Sequence, residues 1–150
     1  MRIALFEPDI PQNTGNIFRL SACLGIPVDI IEPTGFIFDD KRFKRALMDY
    51  IKFINYKSHL DWKEFYQWSQ ESNFRLVLLT TKSKIKYTSF NFSKHDIIIF
   101  GRESSGVPEY VHSQVHERLT IPMQKGLRSL NISSSVAMVI GEASRQLNLI

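Results

Sequence analysis

Cysteine is nearly missing from this chain of 150 residues: Cys23 stands alone. A lone cysteine excludes an internal disulfide, and a reducing cytoplasm is the expected compartment. It also leaves His59, His95, His112 and His116 without a partner at metal-ligand spacing, so no metal is expected. Long apolar runs are missing too. None approaches the roughly 18 residues that span a bilayer, and no membrane partner is expected. The opening MRIALFEPDIPQN turns acidic and Pro-containing too early to read as a signal peptide. Glycine is sparse, seven in all, and nowhere forms G-x-G-x-x-G or a P-loop. That removes the nucleotide-cofactor fingerprints, and with them a dinucleotide-dependent oxidoreductase. No Ser–His–Asp arrangement declares itself, and the chain has no repeat, linker or low-complexity tract.

What is present is ordinary globular material, 43% hydrophobic and 23% charged, enough for one domain over residues 1–150 with a real core. The element order predicts an α/β fold with a mostly parallel sheet flanked by helices. RIALFE at 2–7 is a short strand ended by Pro8. PQNTG at 11–15 is turn chemistry, followed by a helix to Leu24. On that helix Ile17, Leu20 and Leu24 form a core stripe, while Asn16, Arg19 and Cys23 share another face. Residues 28–31 form a second strand, 53–56 a short one, and the apolar runs 76–80 and 97–100 read as strands buried on both faces. Asp61 caps a helix that Glu64 answers and Leu60 staples to Phe65; its Trp62, Phe65, Tyr66 and Trp68 read as packing. Residues 82–94 are a polar, exposed connection.

The net charge of +4 is compatible with a polyanionic partner without requiring one. Its placement says more. Asp39 and Asp40 open a helix whose apolar side is Phe43, Ala46, Leu47 and Tyr50; Lys41, Lys44 and Arg45 share the other side. Such a face is either solvated surface or a set of phosphate contacts.

The stretch 121–142, IPMQKGLRSLNISSSVAMVIGE, organises the rest. It runs from a strand end through a polar loop into a helix on which Ile132, Val136, Val139, Ile140, Ala143 and Leu147 recur at helical period. Ala137 and Met138 widen the apolar stripe beyond what one packed face needs. A strand-to-helix loop is where open α/β sheets bind ligands, against free backbone N–H groups.

Three segments follow strand ends: PQNTGNIFR at 11–19, FGRESSGVP at 100–108 and IPMQKGLRSLN at 121–131. Together they resemble the three motifs of the SPOUT class of RNA methyltransferases, in its SpoU branch. Asn13, Gly15, Asn16 and Arg19 match the first motif; Phe100, Gly101, Glu103, Gly106 and Pro108 match the second. Ile121, Pro122, Met123, Ser129, Leu130 and Asn131 match the third. The segment EPTGFIFDDKRFKRALMDY at 32–50 narrows the resemblance to the minimal tRNA cytidine/uridine-34 2'-O-methyltransferases, the YibK-like or TrmL group. Gly141 stands where members of that group often carry tyrosine.

The resemblance implies a SPOUT fold with a C-terminal deep trefoil knot, a homodimer, and tRNA as substrate. It implies S-adenosylmethionine as methyl donor, held by Leu79, Gly101, Ile121, Met123, Ser129, Leu130 and Asn131, largely through backbone. It points to Arg19 as the principal catalytic group, with Asn13, Asn16 and Glu103 beside it, and to Lys41, Lys44 and Arg45 as RNA contacts. The expected reaction is methyl transfer to the ribose 2'-hydroxyl of wobble nucleotide 34. A different tRNA or rRNA position, or a non-catalytic RNA-binding module of the same fold, are the alternatives.

Overall fold

The computed structural model describes residues 1–37 and 47–149. Six strands form one parallel sheet: β1 (Arg2–Phe6), β2 (Val28–Ile31), β3 (Tyr56–His59), β4 (Arg75–Leu79), β5 (Asp96–Phe100) and β6 (Glu117–Leu119), in the order β3-β2-β1-β5-β4-β6. Among the described residues, four named α-helices accompany them: α1 (Pro11–Leu24), α2 (Trp62–Glu71), α3 (Glu109–Gln114) and α4 (Ile132–Leu147).

Alternation along each strand decides what packs where, because successive side chains point to opposite faces. Ile3, Leu5, Val28, Ile30, Val77 and Ile98 meet α1 and α4, whose Ile17, Phe18, Val136, Val139, Ile140 and Ala143 are buried against them. Ala4, Phe6, Ile31, Leu76, Leu78, Ile97 and Ile99 meet α2 and α3 through Trp62, Phe65 and Val111. β5 is buried at all five positions, as a central parallel strand must be. Burying each such Ile or Leu contributes roughly 1.5–3 kcal/mol, so the two helical layers are a requirement of the strand sequences rather than an addition to them.

Two buried carboxylates lie in the strands. Asp29 takes a two-pronged contact from Arg2 (2.6 and 3.0 Å) and a 2.9 Å bond from His59 Nε2; Asp96 takes one from Arg75 (2.7 and 2.9 Å) and the Ser93 N–H. Each is compensated, so burial of the charge is tolerated. These pairs are structural.

Several local expectations need correction. PQNTG is the first turn of α1, not a turn before it. Pro11 sits at the first helical positions, where its missing N–H costs nothing, and Asn13, Thr14 and Gly15 are buried. The strand expected at 53–56 starts three residues later: Phe53 ends a 3-10 turn, Met48–Phe53, and the strand is Tyr56–His59, placed by pairing with β2 (Val28 against Tyr56, Ile31 against His59). Asp61 does cap α2, accepting the Glu64 N–H at 2.8 Å, and Glu64 answers on the Leu60 N–H. The staple is not formed: Leu60 is 82% exposed. The basic helix face of Lys41, Lys44 and Arg45 lies outside the described residues.

Candidate active site

Because every strand is parallel, all six C-terminal ends open on one edge. Register places Leu79 beside Phe100 and Leu119, so the chain leaves β4, β5 and β6 at three adjacent points. Leu79, Gly101 and Ile121 therefore emerge side by side, each half-buried. The loop after β6 carries Met123, half-buried, then Ser129 and Leu130, both exposed, and ends at Asn131. Among the described residues, the one backbone–backbone bond donated by an N–H of 121–131 is Leu127 to Gln124, at 3.2 Å. The other N–H groups of the loop make no backbone–backbone bond among the described residues, and Ile121 and Met123 beside them are incompletely covered.

The loop after β5 is pinched. Arg102 and Gly106 exchange backbone bonds of 3.1 and 2.8 Å. A Cβ on Gly101 would lie 2.7 Å from the Gly106 carbonyl carbon, so only glycine fits there. Gly106 itself has φ +70°, a conformation L side chains rarely adopt. The hairpin-like pinch fixes the direction of Glu103.

Glu103 is the first member of a directional chain. Its Oε2 accepts the Asp9 N–H at 2.8 Å and its Oε1 accepts Asn13 Nδ2 at 3.2 Å. Asn13 Oδ1 accepts Asn131 Nδ2 at 3.0 Å. Asn131 Oδ1 in turn caps α4, taking the N–H groups of Ser133 (2.9 Å) and Ser134 (3.3 Å) and the Ser133 hydroxyl (2.6 Å). Each side chain uses donor and acceptor in one sense only, from helix N-terminus to carboxylate. Three segments far apart in sequence are thereby joined.

Arg19 and Asn16 are not members of that chain. Both lie on the exposed face of α1, and Arg19 is six residues beyond Asn13, about 9 Å along the axis. The Arg19 guanidinium stacks over the Tyr50 ring at 4.7 Å. That contact helps to orient the planar group.

Sequence reasoning missed a second set of contacts at the same edge. Asp9 receives the Ser104 hydroxyl (2.5 Å) and N–H (3.2 Å), and Arg102 reaches Glu7 (2.7 Å) and Asp9 (3.3 Å). These clamp the loop after β1 to the loop after β5. The available signal was complementary charge, Glu7-Pro8-Asp9 after one strand and Arg102 after another, but nothing local pairs them. A cleft of about 400 Å³ between α2, α3 and the ends of β1 and β2 contains none of the expected site residues. Its Tyr110 hydroxyl is pushed up by burial and by the nearby Glu7 and Asp61 carboxylates.

The SpoU rRNA Methylase family profile matches residues 1–141, nearly the whole chain. The chain belongs to that family. A tRNA (cytidine(34)-2'-O)-methyltransferase of Beijerinckia indica is 49% identical over 96% of this chain and 90% of its own length. The Escherichia coli K12 protein of the same name is 40% identical, covering 98% and 94%. A solved structure described as "Structural insights into the 2-OH methylation of C/U34 on tRNA" superposes with a TM-score of 0.93 at 33% identity, over 98% of this chain and 95% of that one. SpoU membership accounts for the parallel sheet with helices on both faces.

Proposed function

We infer that this chain methylates the ribose 2'-hydroxyl of the wobble nucleotide, cytidine or uridine 34, of tRNA. The observation that carries the reading is the hydrogen-bonded chain Asn131–Asn13–Glu103, which ties the three SpoU motif segments into one site at the sheet edge. Nearly full-length similarity to enzymes of that name supports the substrate.

The residues fit S-adenosylmethionine as donor. Half-buried Leu79, Ile121 and Met123, with Leu130, offer apolar surface for an adenine and a thioether, and the loop N–H groups offer donors for the adenine edge. Gly101, Ser129 and Asn131 complete the contacts, largely through backbone. When bound, the cofactor supplies an electrophilic methyl on a sulfonium.

The protein's own work is then positional and electrostatic. A ribose hydroxyl is a weak nucleophile, and Arg19 stabilises the negative charge that grows on its oxygen. A guanidinium keeps its proton, so Arg19 acts first as an oriented cation, and the proton of the methylated hydroxyl passes to solvent. Both carboxylate oxygens of Glu103 are engaged by protein, so it positions the loops after β1 and β5 rather than meeting substrate. Asn13 relays that constraint to Asn131 and hence to the last helix; Asn16, exposed between Asn13 and Arg19, orients the ribose. Holding two reactants in line supplies about 7–11 kcal/mol of the barrier, the larger share of what such a site provides.

The same reading makes the chain a single domain over 1–150, knotted at its C-terminus, cytoplasmic, and a homodimer. Ala137 and Met138 are exposed on α4, Met138 by 42%, and open space surrounds the position of a Cβ on Gly141. That apolar stripe is where a second copy packs. Lys41, Lys44 and Arg45 hold the RNA backbone. Incubation with unmodified tRNA and S-adenosylmethionine, followed by mass-spectrometric mapping of 2'-O-methyl groups, tests the proposal. A methyl group at nucleotide 34 supports it; methylation elsewhere, or none, overturns it.

A further inference from the structure

The segment after β4 is held to the sheet by alternate residues. The Ser83 hydroxyl donates to the Arg118 carbonyl (2.6 Å), the Ile85 carbonyl accepts the Thr120 N–H (2.8 Å), and the Tyr87 N–H donates to the Thr120 carbonyl (3.0 Å). Lys86 forms a parallel bridge to Thr120. The segment thus lies along the outer edge of the sheet beyond β6, joined to it by a single parallel bridge and these bonds. Lys82 just before the first anchor, and Lys84 and Lys86 between the anchors, are all exposed, as is Arg118 on β6.

Two features bear on this row. First, among the described residues none of the four cations has a carboxylate partner, a condition shared by Lys52, Lys63, Lys94, Lys125 and Arg128 but not by Arg2, Arg75, Arg102 or Arg145, which are each ion-paired. Second, the row is rooted in the candidate site at both ends. It begins three residues after Leu79, and its anchor Thr120 immediately precedes Ile121. Lys82 and Arg118, on different elements, both act through their charge on one buried imidazole, His112. That ring is held below the ordinary histidine range, first by burial and then by Lys82, with Glu109 opposing and Arg118 contributing less.

We propose that Lys82, Lys84, Lys86 and Arg118 form a phosphate-binding row that holds the RNA backbone as it enters the methyl-transfer site. The proposal rests on the reading of the chain as a tRNA methyltransferase. Cations fixed on a hydrogen-bonded edge lose less freedom on binding than cations on a free loop, and their desolvation is not opposed by a resident carboxylate. The competing use of edge lysines is to block strand-to-strand aggregation. That use needs charge but no adjacency to a site.

The test employs the whole protein and an unmodified tRNA transcript. Lys82, Lys84 and Lys86 are changed together to Gln, and separately together to Arg. Binding is measured from low to moderate salt, and methylation kinetics alongside. Three lost phosphate contacts reduce the slope of log K against log salt by about 2–3. The Gln variant is therefore expected to bind tRNA at least tenfold more weakly at low salt, with KM raised, kcat retained and S-adenosylmethionine affinity unchanged. The Arg variant is expected to keep the wild-type slope. An unchanged slope and KM in the Gln variant overturn the proposal, most plainly if that variant aggregates, and leave the methyltransferase reading intact. A wild type that neither binds nor methylates tRNA overturns both.

Discussion

Asn131 performs two separable tasks, and two substitutions separate them. Its Oδ1 caps α4, and its Nδ2 donates to Asn13, which is 7% exposed and carries the constraint on to Glu103. Asn131→Ala removes both. Asn131→Asp keeps the cap, adds a carboxylate at the positive end of the helix, and loses only the donor to Asn13. Losing the cap costs about 1 kcal/mol, and the carboxylate contributes about 0.3–1 kcal/mol against the helix dipole. Both variants leave the Asn13 oxygen without its donor, and the Asp variant also sets a carboxylate oxygen against it, which offsets part of its gain. The Ala variant is then less stable than the Asp variant by at most about 1.3–2 kcal/mol, the sum of the two helix terms. In a domain of this size it melts at most about 3–8 °C lower. Catalysis follows the other task. Both variants break the chain to Glu103, and both are expected to lose about 10–100-fold in kcat/KM, the consequence of a displacement of ångström scale. Thermal unfolding and steady-state methylation of unmodified tRNA give the two readouts. An Asp variant with wild-type activity refutes the positioning role, and equal melting temperatures refute the cap.

Arg19→Ala and Arg19→Lys are each expected to lower kcat by about 10²–10³ while calorimetry finds S-adenosylmethionine affinity unchanged; lysine lacks the planar fork. Near-normal turnover in either variant removes Arg19 from the mechanism. Neutralising Lys41, Lys44 and Arg45 together is expected to flatten the salt dependence of tRNA binding, and an unchanged slope returns them to solvated surface. Met138→Glu places a charge on the exposed stripe of α4 and is expected to give monomers by sedimentation, with methylation lost although Arg19 is intact; a fully active monomeric wild type contradicts the dimer. Glu142 accepts two bonds from Arg145 and one from Gln146, and its pKa is pulled down to about 2. A depressed folded pKa means that this contribution is present above the ordinary carboxylate range and fades as pH falls toward 2. Carboxyl NMR titration is expected to find that midpoint, and Arg145→Ala to return it toward the usual value; a normal midpoint in the wild type contradicts the pairing.

How far the sequence disclosed this arrangement depended on whether the deciding interaction was local. The last helix was legible because its cap, Asn131, and its apolar period lie in one stretch; its observed bounds, Ile132–Leu147, match. The start of α1 was not. Pro11, Asn13, Thr14 and Gly15 are turn formers by composition, and what makes them helical is burial against the sheet, which composition does not carry. The edge strand β3 was misplaced because only His59 of Tyr56–His59 is buried, leaving little apolar alternation to read. Residues 82–94 looked like a plain exposed connection because the bonds that straighten 83–87 come from Arg118 and Thr120.

The site shows the same division more sharply. Asn13, Glu103 and Asn131 were each identifiable from the motif around them, yet their mutual bonds span 90 and 118 residues. No motif states that Asn13 stands between the other two. The contacts exist only once β1 and β5 pair, Leu5 beside Phe100, and α4 lies against α1 on the sheet. Pairing β1 with β5 and packing α4 on α1 therefore also bring the three groups of the site together. A core substitution that shifts β1 against β5 displaces Glu103 from Asn13 without touching either residue. Loss of methylation from such a substitution reports on strand register, and only changes that spare the sheet, such as Asn131→Asp, report on the chemistry.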